Sequence, residues 1–267
     1  FRANVQWSAS LWRRGDRLTV MTEPQWDAHA DWWQREFTDG VDPEYVEQII
    51  PLALEHLPTS GRILDLGTGE GQIARAATAV NGLEVVGLDP TESQIAVAIE
   101  RAGGPVYAMA GSDALPLPDR SVDAVVVCLV FEHVDAIDES MAEVARVLRP
   151  GGKFLFFLNH PLLQTPGSGM IIDHMIEPPE TYWRIGPYLP EAVTIEEVQK
   201  GVYVRFVHRP LSRYINAMIE AGMSLSSMHE PAPPPGFLAK AGEYENEVVE
   251  TTPRLLLLVG ERSGADQ

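Results

Sequence analysis

The sequence predicts an α/β fold built on an open, mostly parallel sheet, and three stretches carry the prediction. Arg62-Ile63-Leu64 is a short apolar run leading into Asp65-Leu66-Gly67-Thr68-Gly69-Glu70-Gly71 and then the helix-compatible Gln72-Ile73-Ala74-Arg75-Ala76-Ala77, so it reads as strand, tight glycine turn and helix start. Residues 83–88 form a second short strand ending at Asp89, and Thr91-x-x-Gln94 reads as a capping box opening a helix from Glu92 to about Arg101. Val125-Val126-Val127-Cys128-Leu129 is β-branched, too short to span a membrane, and suits a strand covered on both faces.

The glycine turn is where chemistry is expected. Glycines there accept positive φ and let a ligand approach the backbone, while the helix start offers unpaired N–H groups, so a nucleotide-like ligand is expected. Asp65 and Glu70 flank the turn, a poor setting for a pyrophosphate and a good one for a cation. The dinucleotide pattern G-x-G-x-x-G/A fails at Gln72, and no Gly-Lys-Ser/Thr completes a phosphate loop. Asp89 lies 22 positions after Gly67 and suits acceptance of both ribose hydroxyls.

These residues resemble the first motifs of the class I S-adenosylmethionine-dependent methyltransferases, of the small-molecule, methyltransferase-11-like type. The resemblance extends through Gly111-Ser112-Asp113-Ala114, through Glu132-His133-Val134 at the exit of strand 4, and through Leu148-Arg149-Pro150-Gly151-Gly152 before strand 5 at residues 153–158. It covers about residues 62–158. It implies a Rossmann-like, doubly wound sheet of seven mostly parallel strands with an antiparallel last strand, here residues 254–260, and S-adenosylmethionine as cofactor. Carried onto this chain, the cofactor-binding residues are Asp65, Gly67, Thr68, Gly69, Asp89, Pro90, Asp113, Ala114 and Leu129, with Asp113 or the Ala114 backbone meeting the adenine. The implied reaction is in-line methyl transfer to a small or medium organic substrate, giving S-adenosylhomocysteine.

Around this core the chain divides into a leader (1–20), N-terminal helices (21–58), the cofactor-binding core (59–158), an insertion after strand 5 (159–209), a C-terminal helix with the last strands (210–262), and a tail (263–267). The leader holds Arg2, Arg13, Arg14 and Arg17 without a long apolar stretch, and Met21-Thr22-Glu23-Pro24 looks like a natural start, so residues 1–20 are expected to be a poorly ordered upstream extension. Trp26, Trp33 and Phe37 recur at roughly helical spacing; a second helix is expected with Asp42 as N-cap and Pro43 at its first position, and Pro51 is expected to kink or break it. Asp135 is expected to cap the helix carrying Ile137, Met141, Val144, Ala145 and Leu148. The insertion is rich in aromatics and begins at the carboxyl end of the sheet, where ligands bind in such folds. It is expected to form a substrate lid, with Tyr182, Trp183, Tyr188 and His208 joined by Trp33, and with residues 201–207 adding a strand. Pro210 is expected to begin a helix with Leu211, Tyr214, Ile215, Met218 and Ile219 on one face, followed by strand 6 at residues 223–229.

Composition narrows the partners. The chain of 267 residues has 38 acidic and 20 basic side chains, a net charge of −18, which argues against nucleic acid and against anionic membranes as partners. A small-molecule methyl acceptor, no stable membrane anchoring, and a monomer or homodimer in the cytoplasm are expected. The single Cys128 excludes an internal disulfide and reads as a small core hydrophobe.

Methyl transfer draws much of its rate from positioning, yet a hydroxyl acceptor profits from a general base. His160 after strand 5 is the first choice and His133 the second. No ligand spacing for a metal is evident, so none is expected. The alternatives are an NAD(P)-dependent oxidoreductase on a similar sheet and a noncatalytic S-adenosylmethionine-binding protein.

Overall fold

The computed structural model describes residues 25–38, 41–80, 82–242 and 245–264. The leader, the Met21 start and residues 265–267 of the tail lie outside the described residues, as does the Trp26 side chain. A seven-stranded sheet forms the centre, built from β1 (Gly61–Leu66), β2 (Leu83–Asp89), β3 (Val106–Met109), β4 (Val122–Cys128), β5 (Leu148–Asn159), β10 (Met223–His229) and β11 (Leu255–Arg262). Its order is β10-β11-β5-β4-β1-β2-β3, parallel throughout except for β11, which runs antiparallel to both β10 and β5. This is the predicted doubly wound sheet with an antiparallel last strand.

The alternation of side chains along β4 explains the two layers. Val125 and Val127 enter one core with Met141 of α5 (Ile137–Val147) and Met218 of α6 (Leu211–Glu220), while Ala124 and Val126 enter the other with Ile49 and with Ala74 of α3 (Gln72–Thr78). Both faces are fully buried, as the unbroken apolar run requires. Each such valine contributes on the order of 1.5–3 kcal/mol by leaving water.

Several local expectations are corrected. No side-chain cap forms at Thr91 ahead of α4 (Glu92–Arg101). The Gln94 side-chain amide oxygen instead accepts from the Gln34 side-chain amide of α1 (Gln25–Phe37), and the Asp89 carboxylate takes the Thr91 N–H. Asp135 does not cap α5 either; Ala136 holds that position, and the Asp135 carboxylate is drawn to Arg205 at 2.6 Å. Asp42 does accept the Glu44 N–H beside Pro43. Pro51 breaks nothing: a π-helical turn at Tyr45–Ile49 runs into α2 (Ile50–His56), and this widened turn accommodates the N–H that proline lacks. β5 begins at Leu148 rather than Lys153, and Ile219 is exposed rather than on the buried face of α6.

The insertion adds nothing to the main sheet. It folds as two separate antiparallel hairpins, β6 (Gly169–Asp173) with β7 (Glu180–Arg184), and β8 (Ala192–Gln199) with β9 (Val202–His208). β9 is the strand expected near residues 201–207. Two short helices, α7 (Pro235–Leu238) and α8 (Asn246–Thr251), join β10 to β11. Among the described residues, no helix is long and apolar enough to cross a membrane.

Candidate cofactor and acceptor site

The parallel register brings the tips of β1, β2 and β4 together: Leu66 pairs with Leu88 on one side and with Val127 on the other. Asp65, the 67–71 turn, Asp89 and Leu129 therefore converge at the carboxyl edge of the sheet. Asp113 and Ala114 follow β3 and are exposed beyond it, as is Pro90 next to Asp89.

Within the turn, Gly67, Gly69 and Gly71 all have positive φ, at 74°, 55° and 87°. Two of them are demanded by the protein's own packing. A Cβ on Gly67 would lie 2.2 Å from Cγ2 of Val130, and one on Gly71 would lie 2.3 Å from the Tyr107 hydroxyl. Gly69 differs, since nothing lies within 4 Å of where its Cβ would be. That open space is bordered by Asp89, whose Oδ2 accepts the Gly69 N–H at 3.0 Å and whose Oδ1 accepts the Thr91 N–H at 2.9 Å. A carboxylate accepts several donors at once, and a ribose diol is one such pair.

The acids read as cation-selecting are otherwise engaged. Asp65 is buried, and its Oδ2 accepts the Thr68 hydroxyl at 2.6 Å and the Ala74 N–H at 3.0 Å, so it clamps the turn onto α3. Burial pushes its carboxyl up to about 6 despite those two hydrogen bonds. Glu70 is also buried, bridged by Arg75 at 2.6 Å and by Arg101 of α4. The selectivity argument from Glu70 is therefore corrected: its charge is matched inside the protein. Asp89 remains as the acid bordering the open space.

Thr68 is held by Asp65, and Leu129 takes a positive φ of 56° while donating its N–H to the Phe157 carbonyl at 3.0 Å. Trp33 stacks on Phe37 at 4.4 Å and meets Tyr45 edge-on at 6.3 Å, fixing α1 beside the core. The Gln72 amide reaches the Phe37 carbonyl, and Trp32 bonds Gln199, so α1 touches both the glycine turn's helix and the tip of the β8–β9 hairpin.

The histidines fall in different surroundings. His160 is buried; its Nδ1 accepts the Leu162 N–H at 3.2 Å and its Nε2 meets Glu230 at 2.8 Å, which assigns the proton to Nε2. Both nitrogens are thus engaged, and the ring is turned toward the loop after β10. His133 donates from Nδ1 to the Arg205 carbonyl at 2.8 Å, and burial lowers it to about 4. His208 donates from Nε2 to the Tyr188 carbonyl at 2.8 Å. Tyr188 also accepts the Leu211 N–H, whereas Tyr182 is exposed and Trp183 lies on β7, facing Met170 across the hairpin. Tyr182 and Trp183 are not among the residues that meet at the β4 exit.

What does meet there was singled out from the sequence only in part: Glu132 within the Glu132-His133-Val134 motif and His208 as a lid residue, but not Arg209. Glu132 is buried and accepts the Asn159 amide with Oε1, while Oε2 has no partner; burial pushes its carboxyl up to about 7. Arg209, also buried, donates to the carbonyls of Phe131, Val134 and Asp135 at 2.8–3.1 Å. The signal available in advance was Glu132 at the end of an otherwise apolar strand. Among the described residues, no group of three or more histidine, cysteine or acidic side chains is placed to hold a metal. Cys128 is buried against Tyr45, and burial pushes its thiol up, which suits a core hydrophobe.

The profile of the methyltransferase domain family matches residues 64–156. A ubiquinone/menaquinone biosynthesis C-methyltransferase of Methylobacterium nodulans is 40% identical over 119 residues, 42% of this chain and 47% of that protein. A demethylmenaquinone methyltransferase of Thermus thermophilus is 36% identical over 121 residues, 43% of this chain and 54% of that protein. This chain spans about half the length of these curated relatives. The crystal structure of an S-adenosylmethionine-dependent methyltransferase from Mesorhizobium loti is 30% identical, with a TM-score of 0.67 over 79% of this chain and 96% of that one. With the glycine cradle and Asp89 fitting the cofactor of that family, the chain belongs to the S-adenosylmethionine-dependent methyltransferases.

Proposed function

We propose that this protein transfers a methyl group from S-adenosylmethionine to a small or medium organic acceptor. The observation that carries the reading is the open space over Gly69 beside Asp89, at the point where the tips of β1, β2 and β4 meet. Asp89 would hold the ribose hydroxyls, the exposed Asp113–Ala114 loop would meet the adenine, and the β4 exit at Leu129 would border the methionine portion. The bound cofactor supplies an electrophilic methyl on a sulfonium. The protein's part is to position the acceptor in line and to exclude water, worth on the order of 7–11 kcal/mol when alignment is good.

The insertion, with Tyr188 and His208 at its base and Tyr182 and Trp183 on its outer hairpin, serves in this reading as the substrate lid, with Trp33 on the opposite side. The family match ends at residue 156, before the insertion. The names of the quinone-pathway relatives support methyl transfer and leave the acceptor to the insertion. A cytoplasmic protein acting as a monomer or homodimer completes the proposal. Of the two histidines expected to act as base, His133 lies at the β4 exit, while His160 needs one of its hydrogen bonds to open first. Calorimetry with S-adenosylmethionine and with NAD tests the cofactor, and release of S-adenosylhomocysteine from pooled metabolites tests the transfer. Heat with NAD alone refutes the assignment, and cofactor binding without any turnover favours a noncatalytic binding protein.

A further inference from the structure

The β8–β9 hairpin carries its side chains the opposite way from a strand pair that simply covers a core. Along β8, Val193 and Ile195 are 55% and 51% exposed, while Thr194, Glu196 and Val198 turn to the more covered side. The pairing register says what shares each side. Glu196 lies directly opposite Val204 and Thr194 opposite Phe206, so the carboxylate belongs to the face on which both of these β9 side chains are buried. Ile195 and Glu197 lie opposite Arg205 and Tyr203 on the open face.

The covered face looks onto two elements of the proposed site. Phe206 packs on the His133 ring at the β4 exit, with centroids 4.7 Å apart. α1 packs against β9, and because Ile195 and Tyr203 leave the other face open, the helix lies on the Glu196 side. Trp32 of α1 bonds Gln199 at the hairpin tip and meets Trp33 and Phe37 edge-on at 6.2 and 5.3 Å. Half-buried aromatic surface therefore stands beside the hairpin.

Glu196 has no cation to match it. Its Oε1 accepts the Thr194 hydroxyl at 3.1 Å, and among the described residues it forms no ion pair. Burial raises its carboxyl above the ordinary glutamate range, with only that hydroxyl working in the other direction. The hairpin's own cations do not serve it: Lys200 lies in the turn, and Arg205, on the other face, is held by Asp135 at 2.6 Å. A half-buried carboxylate turned inward without a cation loses hydration and gains little in return. It is complementary to a ligand that brings the positive charge, and aromatic faces near a carboxylate suit a cationic nitrogen. The net charge of −18 acts in the same sense at long range, raising the local concentration of cations.

We infer that Glu196 is a specificity-determining residue of the acceptor site, and that the acceptor carries a cationic nitrogen, of the ammonium or amidinium class, held between this carboxylate and the α1 aromatics. The inference rests on the methyl-transfer reading above and names the class of its acceptor. The nitrogen is a recognition handle, separate from the atom that takes the methyl.

The test uses the full chain saturated with S-adenosylhomocysteine and two probes, benzylamine and benzyl alcohol, which share ring and length and differ in charge at pH 7.5. Calorimetry is expected to give at least about tenfold tighter binding of the amine, the size of a charge-assisted hydrogen bond. Glu196→Gln keeps an acceptor for Thr194 and is expected to bring the two probes within about twofold of each other, with S-adenosylhomocysteine affinity also within about twofold of the parent. Glu197→Gln removes the same charge from the open face and is expected to keep the preference. Equal binding of both probes to the unaltered protein overturns the inference with no variant needed. Equal loss of preference in the two variants also overturns it, because the overall field and not the Glu196 site then attracts the amine. A protein that binds no S-adenosylhomocysteine, yet prefers the amine through Glu196, would fail the methyl-transfer reading and uphold the cation site.

Discussion

Replacing single glycines of the 67–71 turn with alanine separates a residue needed for folding from one needed for the ligand. At Gly67, φ is 74° and the new Cβ would fall 2.2 Å from Val130 Cγ2. A left-handed backbone at a non-glycine residue costs about 1–2 kcal/mol, and overpacking adds about 1–3 kcal/mol, so Gly67→Ala should destabilise by about 2–5 kcal/mol. Valine has stiff χ1 preferences and cannot swing its methyl away cheaply. At Gly69, φ is 55° and nothing lies within 4 Å, so only the backbone term applies, about 1–2 kcal/mol. The Gly69 methyl would instead project into the space assigned to the cofactor. Urea unfolding of each variant reads the stability, and calorimetric titration with S-adenosylmethionine reads the site. Gly69→Ala is expected to remain folded and to lose affinity by at least about tenfold, equivalent to roughly 1.4 kcal/mol. A folded Gly69→Ala that binds the cofactor as the parent does would refute the placement of the ligand over this residue.

Three further outcomes follow from the same geometry. Removing both arginines that bridge Glu70, Arg75 and Arg101, leaves a buried carboxylate alone and should cost about 3–5 kcal/mol in urea unfolding, with each single alanine variant costing much less than half because the other arginine remains; simple additivity would reject a shared network. Glu132 has a carboxyl raised from an ordinary value of 4.5 to about 7, so the native state binds more protons than the unfolded state between those values, and its contribution to stability is lost as pH rises through that window. Glu132→Gln should therefore gain on the parent from pH 4.5 to 7 and hold a constant advantage of about 1–3 kcal/mol above it, and thermal or urea unfolding across pH that shows no widening gap would refute this. Asp89→Asn places an amide N–H₂ where two backbone N–H groups are accepted and where the ribose diol is proposed to donate, so S-adenosylmethionine affinity should fall on the order of 10–100-fold by calorimetry, and an unchanged affinity would remove Asp89 from the site.

The sheet was legible because β-branched runs and a glycine turn constrain the backbone through strong local effects. Ala124 to Val127 has no polar face to offer water, which forces cover on both sides, and Gly67 to Gly71 contains three positive-φ glycines in five residues. Caps were less legible, since a side chain that reads as a local cap has distant competitors. Gln94 faces Gln34 from another helix, and Asp135 faces Arg205 from the insertion; an ion pair with arginine outcompetes a helix N–H. β3 went unread as a strand because its four residues at the sheet edge leave Val106 and Met109 exposed, without the alternation that marks a half-buried strand.

The site divides along the same line. Positions defined by backbone conformation, such as Gly67, Gly69 and Asp89 at a strand tip, could be placed from spacing. The partners of the buried acids could not, because Arg101 and Glu70 are 31 residues apart and Arg209 lies 78 positions from the Phe131 carbonyl it holds. This matters for how the cofactor is chosen. The sequence alone suggests a crevice lined by several negative charges, but Glu70 is neutralised by two arginines, and Asp65, raised to about 6, organises the turn from beneath. In the proposed reading, discrimination against a diphosphate then rests on Asp89 and on the shape of the turn. Gln72 reinforces that shape, since its amide reaches back to the Phe37 carbonyl and seats α1 against the helix start where a pyrophosphate would otherwise lie.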